Sequence, residues 1–171
     1  RTYTFKLRPS ATFQDGDALT AADVLYTIQE AQDPNINSPR RADWTGVVVS
    51  SPDPATVVFT LPHAYAPFIQ NTTLGILPKH LWQNVSAEEF PFSPLNTHPV
   101  GSGPYKISKV VTDSTGSASR YDLVPFPHFT LGAHRVLENL DECHVVRPAV
   151  PGHLDGRHAA RIGARPEAVQ I

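Results

Sequence analysis

Residues 3–34 read YTFKLRPSATFQDGDALTAADVLYTIQEAQDP, and the change of period inside this stretch decides the fold. Tyr3, Phe5 and Leu7 alternate with Thr4, Lys6 and Arg8, the period-two pattern of a strand with one buried face. Pro9 and Ser10 end it. Gln14-Asp15-Gly16-Asp17 then forms a turn in which Gly16 supplies a positive φ that a Cβ would resist. Thr20, with Asp23 three residues on, is a capping-box arrangement that satisfies orphan amides at a helix start. Ala21, Val24, Leu25, Ile28 and Ala31 recur at helical spacing as one apolar stripe, and Pro34 forces the exit near Asp33.

The same reading carries on down the chain. Asn35 to Asp43 is polar and irregular, a loop that ends at Trp44. Val47 to Ser50 and Thr56 to Leu61 flank Ser51-Pro52-Asp53-Pro54-Ala55 and read as two antiparallel strands with a tight connection. Short helices are expected over Tyr65 to Asn71, with Pro67 in the first turn, and over Pro78 to Val85, with Leu81 and Trp82 on the buried side. Phe90 to Pro99 is a rigid proline-rich loop leading to Gly101-Ser102-Gly103-Pro104, which holds two points of free backbone. Tyr105 to Val111 and Arg120 to Val124 alternate again around a polar hairpin tip, Thr112 to Ser119. The fold class is therefore mixed α/β, of the α+β kind, with short helices and antiparallel hairpins.

Composition narrows the function. The chain has 171 residues, 40% apolar and 18% charged, with 14 basic against 16 acidic side chains. That length buries roughly two-thirds of the unfolded surface. The near balance of charge gives no nucleic-acid footprint. The longest uninterrupted aliphatic run is Val47 to Val49, far short of the ~20 residues of a membrane helix. Cys143 is the single cysteine, so no internal disulfide and no cysteine-rich zinc site forms. The absence of methionine and of a signal-like segment before Arg1 reads as a piece of a longer product. From about Pro151 the chain is rich in Arg, Ala, Gly and His; a weak helix over Leu154 to Ile162 is conceivable, but poor order is the better expectation.

Catalytic and cofactor motifs do not assemble. The eight histidines include no pair at the three- or four-residue spacing of a helical zinc site. Serine, histidine and aspartate are present without a G-x-S-x-G elbow, which leaves a hydrolase on another α/β fold as the reading from a different class. Asp15, Asp17 and Asp23 lack the further ligands of a calcium loop, and turn and cap roles account for them. Gly101-Ser102-Gly103 is followed by proline and a strand pattern, whereas a phosphate cradle needs a helix N-terminus. No cofactor and no metal ligand is assigned.

Four blocks in order, YTFKLRPSATFQDGDALTAADVLYTIQEAQDP, SPDPATVVFTLP, GILPKHLW and HPVGSGPYKISKV, resemble the peptide-type solute-binding proteins of ABC importers, the dipeptide-, oligopeptide- and nickel-binding group. Ser102 stands where that family usually has threonine. The resemblance runs from Tyr3 to about Leu123; Val124-Pro125-Phe126-Pro127-His128-Phe129 departs from the family's Arg-Asn-Pro-x-Tyr-Trp, and Leu137 to Asp141 returns to it weakly. It implies a bilobed periplasmic-binding-protein-like architecture, of which residues 1–148 are part of the N-terminal lobe and 149–171 a divergent or poorly ordered tail, native or frame-shifted. It further implies a non-enzymatic protein at the periplasmic or extracellular face of a bacterial membrane, with a peptide or small-molecule ligand and the transporter's permease subunits as partners. A nickel or metal-chelate carrier of the same architecture is the alternative.

Mapped residue by residue, the resemblance places the loop Ser38 to Trp44 against the ligand cleft. Trp44 is then the first candidate, able to stack its indole on a ligand and fix a polar group with its N–H; a core tryptophan beside Val47 and Val49 is the competing reading. Arg40 and Arg41 are candidates for a ligand carboxylate, with solvation as the competing role. Gly101, Ser102, Gly103 and Tyr105 shape the backbone near the lobe crossing.

Overall fold

The computed structural model describes residues 1–132 and the backbone of 143–146. The tail from residue 149, the expected boundary at Pro148, the weak helix over Leu154 to Ile162 and the Leu137 to Asp141 element lie outside the described residues.

Two antiparallel three-stranded sheets are joined by helices and loops. The first has the order β1-β3-β2, with β1 at Thr2–Lys6, β2 at Val48–Asp53 and β3 at Thr56–Thr60. In it Tyr3 pairs with Phe59 and Phe5 with Val57, and Val49 faces Phe59 from the other side. The expected β2–β3 hairpin forms around Pro54-Ala55, with a register shift between Ser50 and Asp53 that absorbs Pro52. The second sheet has the order β4-β5-β6, with β4 at Tyr105–Thr112, β5 at Ala118–Pro125 and β6 at Cys143–Val146. Sequence periodicity does not single out β6, because four residues are too short to show a period.

Helix α1 spans Ala21–Gln32 and lays its expected stripe, Ala21, Val24, Ile28 and Ala31, into the core, with Leu25 packed at the margin. Its start follows the capping logic: the Thr20 amide and hydroxyl both donate to Asp23 Oδ2, at 2.8 and 2.9 Å. Gly16 takes φ +102° in the preceding turn, as the turn requires.

The loop after α1 contains a helical turn that periodicity does not reveal. Residues Arg41–Trp44 form α2, one turn long and too short to be stable alone. Tertiary contacts hold it. Gln32 Nε2 donates to the carbonyls of Trp44 and Val47, at 2.7 and 2.8 Å, and the Trp44 ring is sunk into the core. Helices α3, Phe68–Asn71, and α4, Lys79–Trp82, are shorter than their sequence patterns suggest. Pro67 lies just outside α3 as its cap residue rather than in its first turn. The rigid loop from Phe90 holds two 3-10 turns, Phe90–Phe92 and Pro94–Asn96.

The core sits between α1 and the first sheet. Trp44, Phe59 and Phe68 meet with ring centroids 5.5–5.7 Å apart, and Tyr3 lies 5.0 Å from Phe68. Such pairs add about 0.5–1.5 kcal/mol each beyond burial. The segment before α4 is fastened to α1 by polar contacts: Leu77 N donates to Thr27 Oγ1 and Lys79 N to Asp23 Oδ1, both at 2.9 Å. Asp23 and Thr27 are both buried, so these contacts fix one arrangement of the segment.

Candidate functional site

A cavity of about 300 Å³ opens where the first sheet and α1 meet the chain entering and leaving the second sheet. Its floor comes from the strand and helix stripes already described: Phe5 and Phe59 from β1 and β3, Val24 and Ile28 from α1. Leu74 and Ile76 close one side; they are there because Thr27 and Asp23 tie the following residues to α1. Ser102, Gly103 and Pro104 form one rim, and Phe129 to Leu131, after β5, form another. An apolar concavity of this volume is at the small end of ligand pockets.

The lining is chemically simple. Its charged members are Lys6 and Arg8, on the strand and its extension, and the described lining residues include no Asp, Glu, His or Cys. Among the described residues the hydroxyls of Thr72, Thr73, Ser102 and Thr130 share this lining with no carboxylate, imidazole or thiol. Lys6 and Arg8 are exposed and alternate with Phe5 and Leu7, so their charges stand at the margin of the cavity rather than on its floor.

The structure gathers some sequence-derived candidates and separates others. Trp44, Ser102 and Gly103 line this one cavity. Trp44 is only 1% exposed, and its Nε1 is buried without a hydrogen-bond acceptor. Its ring packs against Phe59 and Phe68, so it forms wall and core together. Gly101 and Tyr105 flank the rim without lining it. Neither Gly101 nor Gly103 takes a positive φ, and Gly101 is hydrogen-bonded through both its N–H and its carbonyl, so the free backbone expected there is not seen at Gly101. Arg40 and Arg41 lie away from the cavity: Arg40 Nε is 3.3 Å from Asp43, and Arg41 Nε donates to the Gln32 carbonyl at 3.2 Å. Both contacts lie within or at the start of the loop around α2.

Phe5, Lys6, Arg8, Leu74 and Ile76 line the cavity without having been singled out by sequence reasoning. Lys6 and Arg8 carry a signal, being cations that alternate with core residues, but the same alternation describes any solvated strand face. Leu74 and Ile76 carry none, because the polar contacts that place them span 50 and 56 positions.

His80 forms a separate surface cluster. Its Nε2 lies 2.8 Å from Asp15 Oδ2 and 3.3 Å from Asp17 Oδ2, which ties the turn before α1 to α4. Among the described residues no group of three or more His, Cys, Asp or Glu is arranged to hold a metal ion.

Comparison with known proteins agrees with this architecture. The profile described as bacterial extracellular solute-binding proteins, family 5, middle region, matches residues 1–144. Protein XP55 of Streptomyces lividans is 42% identical over 111 residues, covering 63% of this chain and 19% of that protein. The glutathione-binding protein GsiB of Shigella boydii is 33% identical over 107 residues, or 62% of this chain and 20% of that protein. The crystal structure of the ABC transporter substrate-binding protein CtaP of Listeria monocytogenes superposes with a TM-score of 0.71 at 33% identity, covering 88% of this chain and 30% of that one. The chain thus spans about a fifth of the length of the curated relatives it matches. With the profile covering most of its length, the chain belongs to the bacterial extracellular solute-binding proteins of family 5.

Proposed function

We propose that this chain is part of an extracytoplasmic binding protein that carries a peptide-type solute to an ABC importer and catalyses nothing. The observation that carries the binding reading is the lining of the cavity, which is mainly apolar, with Lys6 and Arg8 at its edge and no Asp, Glu, His or Cys among its described residues. Family membership and the glutathione-binding relative support a short peptide as the ligand class. Lys6 and Arg8 are the groups that would draw a peptide carboxylate to the mouth, while Trp44, Ser102 and Gly103 shape the wall behind it. Gly101 and Tyr105 contribute by holding the rim. Arg40 and Arg41 act on the ligand only through the loop they brace.

Affinity in such a design comes from enclosure, and one wall buries a small fraction of a peptide. The decisive experiment uses the chain expressed together with the flanking sequence of its gene. A pool of di- to pentapeptides at about 100 times the dissociation constant should stabilise that protein by ~2.7 kcal/mol, read as a thermal shift. A shift with a nickel–histidine chelate and none with peptides would move the reading to a metal-chelate carrier. No shift with either, together with turnover lost on replacing a single serine or histidine, would establish an enzyme instead.

A further inference from the structure

The two sheets share no strand, and the chain passes from the first to the second through the proline-rich stretch that ends at Pro104. One residue far away in sequence grips this crossing. The Gln14 amide N–H donates to the Gly101 carbonyl at 2.9 Å. Its side-chain Nε2 donates to the carbonyls of Tyr105, at 2.7 Å, and Gly103, at 3.3 Å, while its Oε1 accepts from the Gly101 N–H at 3.3 Å. A single part-buried amide thus uses both its donor and its acceptor on three residues 87–91 positions away. Those residues bracket the cavity rim at Ser102 and Gly103 and the first residue of β4.

The turn that presents Gln14 is itself held in place. Phe13 is fully buried, its N–H donates to the Asp17 carbonyl at 2.8 Å, and Thr12 bridges to Ala18. Gln14 is therefore a fixed arm reaching from the first sheet's side to the second sheet's entrance. A carboxylate or an aliphatic side chain of similar length cannot replace it: the former turns oxygens toward two carbonyls, the latter leaves them unpaired.

We propose that Gln14 is the positioning residue of the cavity rim, setting the angle of β4 relative to the first sheet and so the place of Ser102 and Gly103 against the floor formed by Phe5 and Phe59. The link from this position to ligand rests on the binding reading above; the clasp itself does not.

The test measures residual dipolar couplings and amide exchange on the 171-residue chain. In the wild type one alignment tensor should fit the amides of β1–β3 and of β4–β5 together. In Gln14→Met each sheet keeps its internal couplings, a joint fit fails, and the Gly101 amide exchanges about tenfold faster, while that of Phe59 is unchanged. A joint fit as good as wild type, with Gly101 exchange unaltered, overturns the proposal. Should the methionine variant not fold, Gln14→Glu decides. Its carboxylate splits the tensors at neutral pH, and its protonated form, regaining a donor, rejoins them in acid; an orientation as insensitive to pH as the wild type's counts against the clasp.

The peptide thermal shift on the longer gene product separates the two readings. If wild type responds and Gln14→Met responds equally although its tensors split, Gln14 does not position the ligand site. If wild type does not respond, the peptide reading fails, and the couplings alone decide whether Gln14 positions the rim.

Discussion

The first sheet with α1 and the β4–β5 hairpin are built from similar alternating strands, yet they differ in what stands over them. In the first, Trp44, Phe59, Phe68 and Ile28 are almost completely buried, and the cluster unites β3 with three helices, with β1 and β2 packed at its margin. In the second, the fully buried member of the β4–β5 pair is Asp122, bound by Arg120 Nε at 2.8 Å, while the apolar positions are half-covered. The difference teaches that strand alternation sets which face points inward, whereas stability depends on a second layer covering that face. The most direct way to break this contrast is to truncate a side chain on each side. Phe68→Ala should cost about 3–5 kcal/mol in chemical denaturation, whereas Val110→Ala on β4 should cost about 1 kcal/mol or less. Equal losses would show that the hairpin has a core of its own.

Polar anchoring sharpens the same contrast at a smaller scale. The Asp23 carboxylate accepts three hydrogen bonds from two segments, from the Thr20 amide and hydroxyl and from the Lys79 amide. Asp23→Ala should destabilise by about 1–3 kcal/mol, because two part-buried amides lose their acceptor. It should also free the segment carrying Leu74 and Ile76, so amide exchange at Leu77 and Lys79 would rise more than at Val57. Uniform acceleration across the chain would mean that Asp23 matters only as a helix cap.

How much of this was legible follows from the same physics. The strand, turn, cap and helix of residues 3–34 were readable because every signal there is local and all of them agree. The hairpin was readable for the same reason. The turn Arg41–Trp44 was not, since its hydrogen bonds come from Gln32 and its burial from Phe59 and Phe68. The cavity was half visible. Trp44, Ser102 and Gly103 came from family resemblance, while Lys6 and Arg8 looked like an ordinary wet face. Gln14 gave no warning at all, being one more polar residue in a turn until its partners at Gly101, Gly103 and Tyr105 were brought beside it.

Glycine substitutions probe the two regions through the backbone. Gly46, next to the core, has φ +76°, and a Cβ there would sit 3.3 Å from Pro62 Cγ. Gly116, at the hairpin tip, has φ +82° and open space around it. Both alanine variants bear the left-handed penalty of about 1–2 kcal/mol, and Gly46→Ala adds the contact with Pro62. The core-side variant should therefore melt lower. The reverse order would mean that Pro62 yields freely.

The smallest effects concern protons, and they set opposite pH limits on the two regions. On α1 the Tyr26 phenol is pushed up to about 12 from 10.0, first by burial, then by the charge of Glu30 and by the hydrogen bond to it. The folded protein holds that proton more tightly than the unfolded chain, so this contribution is intact below pH 10.0 and is lost as pH rises through about 12. Glu30 is itself raised, by burial and then by Asp33, with the Tyr26 hydrogen bond opposing. Its contribution is therefore present in acid and fades as pH climbs through the carboxylate range, so Glu30→Gln should slightly stabilise the neutral protein. At the hairpin tip the sign reverses: Asp113 is held low by hydrogen bonds from the Thr115 hydroxyl and amide, and its contribution disappears as pH falls. Alkali should loosen α1 while acid opens the hairpin tip. Tyrosinate absorbance reads the first limit directly, because the Tyr26 phenol should titrate late. Tyr26→Phe should abolish the late step, and Glu30→Gln should move it down without restoring the ordinary value, since burial is its largest cause. A late step that survives Tyr26→Phe would assign it to another tyrosine and remove the alkaline half of the contrast.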